Sequence, residues 1–183
     1  MILPIFAYGQ KVLKQRGDDV LEHSEEIKTL VANMFETMDA ANGVGLAAPQ
    51  IGKSLRVFVI DSKPMYEEKD SEKGLRTAFI NPIILEETGD SFSFEEGCLS
   101  IPEIREAVSR MSQIKIEYKD ENFVQHIKTF DGMTARVIQH EYDHIEGVLF
   151  VDHLSAFKKR LIKGKLADVK KGKLRANYPM KFA

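Results

Sequence analysis

Residues 131–148 read DGMTARVIQHEYDHIEGV, and this stretch decides both the fold and the chemistry of the chain. His140 and His144 are four residues apart, which is about 400° of helical rotation, so both imidazoles project from one helix face and can bind one metal ion. Glu141 lies beside His140. A buried stripe at helical spacing completes that face: Met133, Val137, His140, Glu141, His144 and Val148. The H-E-x-x-H pattern therefore predicts a metal-binding helix in the core.

A metal site of this kind needs a third protein ligand. In one class of metalloproteases His144 would be followed by x-x-Gly-x-x-His, but Phe150 occupies the last of these positions. In another class a glutamate well downstream is the ligand, but no glutamate follows Glu146. A lone cysteine is most often a small buried apolar residue, and two histidines on one face can simply be hydrogen-bonded. The residues alone leave three candidates: Cys98, Asp152 and His153.

Three helices are predicted. Ser24 is a suitable N-cap for a helix that runs to Ala40. The helix with H-E-x-x-H begins near Asp131 or Thr134 and ends around Gly147. The third helix begins at Ser155, with Phe157, Leu161 and Val169 expected along its apolar face and a basic outer surface formed by Lys158, Lys159, Arg160, Lys163 and Lys165.

Short β-rich runs lie between the first two helices, at residues 56–60, 78–85, 92–94, 114–118 and 123–127. Residues 120–122 form a turn between the last two, which is typical of an antiparallel hairpin. Strands in the middle with helices before and after predict an α+β fold, in which antiparallel strands pack around the central metal-binding helix.

The composition limits the class of protein. A chain of 183 residues with 43% apolar side chains can bury one sizeable core, so we expect a single domain over residues 1–183. A formal net charge of −2 gives no general attraction to nucleic acid or membrane, and we expect neither a membrane partner nor sequence-specific nucleic acid. Cys98 is the single cysteine, and no run approaches a membrane span, so we expect a cytoplasmic protein.

Three segments together resemble the signature motifs of the peptide deformylase family, in the same order: Gly43-Val44-Gly45-Leu46-Ala47-Ala48-Pro49-Gln50, Glu96-Gly97-Cys98-Leu99-Ser100 and Gln139-His140-Glu141-Tyr142-Asp143-His144. The resemblance spans roughly residues 1–160. It implies removal of the formyl group from the N-terminal formyl-methionine of newly made polypeptides.

The resemblance also implies roles for the residues of these motifs. Cys98, His140 and His144 would hold one divalent metal, Fe(II) in the cell and Zn(II), Ni(II) or Co(II) in purified protein. Glu141 would act as general base and then acid on the metal-bound water. Gln50 and the backbone N–H of Leu99 would stabilise the oxyanion.

The same resemblance assigns residues to the substrate. Gly45 and Gly97 would pair with the extended peptide, and Val44 and Val137 would line the methionine pocket, with Leu99 and Ile101 as further candidates. Ordinary core packing is the alternative for each pocket residue. Glu96 and Arg110 would brace the cysteine loop as an ion pair.

The C-terminal segment 155–183 is basic. Ten Lys or Arg residues against one acid, Asp168, occur after Leu154. A solvated charged face is one interpretation, and contact with ribosomal RNA near emerging nascent chains is the other.

Two other functions remain open. A zincin-like endopeptidase would cut unformylated peptides and tolerate the loss of Cys98, and a catalytically idle metal-binding or ribosome-associated protein would need neither Glu141 nor Gln50.

Overall fold

The computed structural model describes residues 1–174 and 176–183, so Arg175 of the basic segment lies outside the described residues. Helices and strands follow in the order β1 (Ile5–Phe6), α1 (Glu25–Ala40), β2 (Gly45–Ala47), β3 (Val57–Asp61), β4 (Arg76–Cys98), β5 (Ile101–Lys119), β6 (Gln125–Asp131), α2 (Gly132–Ile145), α3 (Ala156–Lys170) and β7 (Met180–Lys181). This mixture of helices and antiparallel strands confirms the predicted α+β class.

The central sheet contains five antiparallel strands in the order β2-β3-β4-β5-β6. Its long hairpin β4–β5 differs from the prediction, because the runs at 78–85 and 92–94 belong to one strand. Residues 85–91 are exposed throughout, so no apolar alternation marks them as a strand. Gly89, at φ +80°, lies at a shift in register within this exposed part.

The last strand also differs from its predicted bounds. A run at 123–127 was expected, but β6 begins at Gln125. Phe123 has φ +63° and belongs to the preceding turn, where its N–H donates to the carbonyl oxygen of Asp120 at 2.9 Å. The β-branched and aromatic residues of 123–127 favour a strand, and nothing in this composition predicts the positive φ of Phe123.

Asp120 holds this turn together. Its carboxylate accepts hydrogen bonds from the backbone N–H groups of Asn122 and Val124 at 2.9 and 3.0 Å, and from His126 at 2.7 Å. Burial alone would raise the pKa of Asp120, but these hydrogen bonds lower it below its usual value.

Helix α2 packs against the sheet, as predicted. Fully buried residues of α2 meet fully buried residues of the strands: Ala135, Ile138 and Ile145 on the helix, with Phe58, Phe79 and Ile116 on β3 to β5. Burying one such aliphatic side chain contributes about 1.5–3 kcal/mol, so packing fixes the position of the helix. Gly147, at φ +75°, follows the helix end where the sequence placed it.

Helix α1 also matches the prediction. The Ser24 hydroxyl accepts a hydrogen bond from the Ile27 N–H, which is the expected N-cap contact. Its buried face contains Val31, Met34 and Met38.

Helix α3 begins where expected, with the Ser155 hydroxyl accepting from the Lys158 N–H. Its predicted apolar face is wrong in part. Ile162, Leu166 and Val169 are buried, whereas Phe157 and Leu161 are 68% and 66% exposed. Residues 162, 166 and 169 face the core cluster that also contains Leu149 and Phe150. The prediction chose the wrong face because α3 has apolar residues at helical spacing on both faces.

The two ends of the chain meet in a second, two-stranded sheet. β1 and β7 pair in parallel, with Ile5 opposite Met180 and Phe6 opposite Lys181. This pairing brings the segment after α3 back to the hairpin tip between β4 and β5. Among the described residues, no helix is both long and apolar enough to span a membrane.

Candidate active site

A cavity of about 520 Å³ opens between α2, the hairpin tip and the segment before β2. The proposed substrate residues all line it: Val44, Gly45, Gly97 and Val137. Gln50, Cys98, Leu99, His140 and Glu141 line the same cavity. The fold thus brings together residues from three separate parts of the sequence.

Cys98, His140 and His144 form one cluster inside this region. One ligand atom from each lies within 4.8 Å of the others, and the Cys98 Sγ is 3.3 Å from the His144 Nε2. The i, i+4 spacing on α2 places the two rings 5.1 Å apart between centroids. Cys98 reaches them as the last residue of β4.

The donor set fits a divalent transition metal. The His140 Nδ1 is 2.9 Å from the Glu96 Oε2, which leaves its Nε2 for a metal, and the His144 Nε2 faces the Cys98 Sγ. One thiolate with two imidazoles suits Zn(II), Fe(II), Co(II) or Ni(II) and leaves a coordination position open. These three residues would therefore hold the metal.

The other two candidate ligands lie elsewhere in the fold. Asp152 forms an ion pair with Lys14 and accepts from the Leu149 N–H, and His153 is 2.7 Å from Asp143. The structure groups neither of them with His140 and His144.

Glu141 is 4% exposed, and its Oε2 has no hydrogen-bond partner within residues 1–174 and 176–183. Burial raises the pKa of Glu141 to about 7, far above the ordinary value of a carboxyl group. A carboxyl group with a free buried oxygen and this pKa can accept a proton and return it near neutral pH.

Gln50 is directed at the hairpin tip. Its Oε1 accepts from the Ala47 N–H at 2.8 Å, which fixes the amide, and its Nε2 lies 3.2 Å from the Ser100 Oγ and 3.5 Å from the Cys98 Sγ. The side-chain NH2 group therefore lies next to the candidate metal ligand Cys98, where it can donate to an oxyanion.

Glu96 is a buried carboxylate that contacts His140 and two arginines. Arg110 contacts both carboxylate oxygens at 2.6 and 3.0 Å, Arg136 donates at 2.7 Å, and His140 completes the set. Burial opposes ionisation, yet the hydrogen bonds from His140 and Arg110 hold the pKa of Glu96 well below its usual range. Arg110 also contacts Asp143 at 2.9 Å. This network orients the His140 ring.

Sequence reasoning did not identify several residues of the site. Arg136 lies four residues before His140, so its helical spacing could have placed it on the same face. Other missed residues line the cavity but carry no local signal: Met65, Phe94 and Tyr178.

The chain is similar to proteins of known activity. Residues 2–160 match the polypeptide deformylase family. The chain belongs to this family. Peptide deformylases of Cytophaga hutchinsonii and Christiangramia forsetii are 56% and 52% identical to it, each over all of this chain and over 98% and 96% of their own lengths.

Solved deformylase structures share the fold. The Ehrlichia chaffeensis enzyme superposes with a TM-score of 0.85 at 32% identity, covering 96% of this chain and all of that one. The Plasmodium falciparum enzyme gives 0.82 at 33% identity, covering 92% and 95%. As a member of the family, the chain is a metal-dependent hydrolase that removes formyl groups from N-terminal methionine.

Proposed function

We propose that this deformylase hydrolyses N-formyl-methionyl peptides with Glu141 as general base and acid, on a metal held by Cys98, His140 and His144. The observation that carries the proposal is the free, buried Oε2 of Glu141, which lies in the cavity beside the three ligands. A structural metal site would have no use for an unpaired carboxyl group at this cost in desolvation.

A bound divalent ion would supply Lewis-acid chemistry, activating water and polarising the formyl carbonyl. Glu141 takes a proton from the attacking water and delivers it to the departing amine. The oxygen that gains negative charge accepts hydrogen bonds from the Gln50 side chain and the Leu99 N–H. These donors lie in fixed positions before the substrate arrives, so little reorganisation opposes the reaction.

The peptide would bind along the edge strand. β2 pairs with β3 on one side only, so Gly45 can pair with an extended substrate on the other, opposite Gly97. Val44 and Val137 then contact the methionine side chain. The apolar side chains that line the cavity suit a methionine side chain.

Glu141→Gln tests the mechanism. The variant should bind metal as the wild type does and release formate from a formyl-Met tripeptide at least about 100-fold more slowly, because the proton acceptor is gone. Glu87→Gln, in the exposed part of β4, is the matched control and should keep full activity. Full activity in Glu141→Gln would show that Glu141 is not the base. Cleavage of the unformylated peptide would indicate a peptidase instead.

We also propose Fe(II) as the metal in the cell and a cytoplasmic location, where Cys98 stays reduced. Thiolate and imidazole ligands accept Fe(II), Zn(II), Ni(II) or Co(II), so loading purified protein with each and comparing formate release will distinguish them. Aerobic loss of activity in the Fe(II) form, with none in the Ni(II) form, is the expected result. Equal loss in both forms would point to the thiol rather than to the metal.

The exposed surface of α3 is proposed to contact ribosomal RNA. Lys163, Lys165 and Arg160 are exposed on it, and phosphate contacts of this kind weaken steeply with salt. Changing these three residues to Gln should reduce ribosome binding at low salt and leave formate release unchanged. Unchanged, salt-independent binding would contradict the proposal.

A further inference from the structure

The tip of the β4–β5 hairpin is a two-residue turn, Leu99–Ser100, between the paired residues Cys98 and Ile101. Its first residue carries the N–H proposed to stabilise the oxyanion. Groups in such a turn lie outside the strand ladder, so no strand partner fixes the backbone on either side of the Leu99 Cα. The orientation of Leu99 therefore needs support from outside the hairpin.

Three groups from outside the hairpin provide that support. The Tyr8 N–H donates to the Ser100 carbonyl oxygen at 2.8 Å, and the Gln50 side chain donates to the Ser100 Oγ. The Tyr178 hydroxyl donates to the Leu99 carbonyl oxygen at 2.8 Å. Only the last of these contacts reaches the backbone of Leu99 itself.

Tyr178 reaches the turn because the C-terminal segment folds back. The Ile5 N–H donates to the Pro179 carbonyl oxygen and the Ala7 N–H to that of Lys181, both at 2.9 Å, so the tyrosine is anchored on its C-terminal side. Its ring is half-buried against the core cluster that contains α1. Ala176 and Tyr178 both line the substrate cavity.

This segment lies outside the part of the chain that matches the family, which ends at residue 160. The match therefore assigns no role to Tyr178. The segment nevertheless contacts the site, because Leu99 follows Cys98 directly and accepts the Tyr178 hydrogen bond.

We propose that Tyr178 is a positioning residue for deformylation: its hydroxyl holds the Leu99 carbonyl and so restricts rotation about the backbone bonds of Leu99, which keeps the N–H on the preceding peptide unit in the orientation required by the oxyanion. The inference rests on the role of Leu99 in the proposed function. The charge on that oxygen develops in the transition state, so a loosened N–H lowers kcat and leaves substrate binding nearly unchanged.

Tyr178→Phe tests this, because it removes the hydroxyl and keeps the ring. Tyr8→Phe is the matched control: it makes the same chemical change beside the same turn, and the Tyr8 hydroxyl makes no hydrogen bond among the residues described. In metal-loaded protein, kcat for a formyl-Met tripeptide should fall about tenfold in Tyr178→Phe with KM within about twofold. The control should keep both constants.

A second measurement is independent of turnover. In zinc-loaded, 15N-labelled protein, Tyr178→Phe should introduce microsecond to millisecond exchange at the amides of Leu99 and Ser100, and Tyr8→Phe should not. Unchanged kcat, a loss confined to KM, or unchanged amide relaxation would each overturn the positioning role. A wild-type protein that binds metal and releases no formate would instead overturn the proposed function, and the inference with it.

Discussion

Gly45→Ala should disable the enzyme without removing its metal. A Cβ added at Gly45 would lie 2.3 Å from the Glu141 Oε1 and 2.6 Å from its Cδ, whereas ordinary van der Waals contact begins at 3.4 Å. The carboxyl group must therefore retreat by about 1 Å, and a displacement of this size in a reacting group costs roughly 100-fold in rate. We expect kcat/KM to fall by about that factor.

The side chain of Glu141 is the part that moves. Gly45 is buried and pairs with the fully buried Ile60, and α2 is held by its own packing, so neither backbone can shift easily. The three atoms nearest to the new methyl group all belong to Glu141, and none belongs to Cys98, His140 or His144. Metal content and the mode of metal binding should therefore match the wild type.

Gly164→Ala is the control, because the added methyl group there meets nothing within 4 Å. It lies inside α3, where replacing glycine with alanine should raise the free energy of unfolding by about 0.5–1 kcal/mol and leave kcat/KM unchanged. The assay is formate release with metal content measured on the same samples. If fully metallated Gly45→Ala kept a rate within about threefold of the wild type, the position of Glu141 would not limit the reaction, and its role as base would be refuted.

Three further predictions test the packing and charge of the fold. Leu166→Ala should lower the free energy of unfolding, measured in urea, by about 2–3 kcal/mol. Leu161→Ala, at an exposed position, should lower it by less than about 0.5 kcal/mol, and equal losses in the two variants would contradict the orientation of α3. Arg136→Met removes a charged hydrogen bond from buried Glu96, so it should lower the free energy of unfolding by about 2 kcal/mol. It should also weaken metal binding in a chelator competition, and an unchanged metal affinity would exclude a role for Arg136 in supporting the ligand His140 through Glu96. The depressed pKa of Asp120 means that its charged form stabilises the fold above its usual value of 3.8, and that this contribution disappears as the pH falls through the lower folded pKa. The stability difference between wild type and Asp120→Asn, about 1 kcal/mol at pH 7, should therefore shrink as the pH falls below 3.8, and a constant difference would contradict the assignment.

The helices were predictable because their signals are local. Ser24, Ser155 and Gly147 are caps whose geometry depends on a few neighbouring residues, and each is observed in that role or position. The predicted buried stripe of α2 is wrong in part: Val137, Glu141 and His144 are buried, but Met133, His140 and Val148 are half-buried. The helix contacts the sheet through Ala135, Ile138 and Ile145 instead. The candidate role of Glu141 rests on its position in H-E-x-x-H and on the burial of its carboxyl group. The sequence shows the position, but only the structure shows the burial.

The features that the sequence did not reveal depend on distant contacts. The exposed middle of β4 is a strand because β5 pairs with it, and its own residues show no alternation. The buried face of α3 depends on the cluster beneath it, since both Leu161 and Leu166 are apolar. Tyr178 gave no signal at all, because its position follows from pairing between opposite ends of the chain.

That pairing places the first strand of the chain beside the last. Since synthesis proceeds from the N-terminus, β1 must remain without its partner while more than 170 further residues are made, which takes roughly 10–35 s at typical bacterial rates. A nascent copy of this enzyme can fold its metal-binding helix against the sheet before then, but Tyr178 cannot reach Leu99 until its own segment has emerged from the ribosome. The protein that processes nascent chains would thus gain this support for its catalytic centre only after the metal-binding residues have been made.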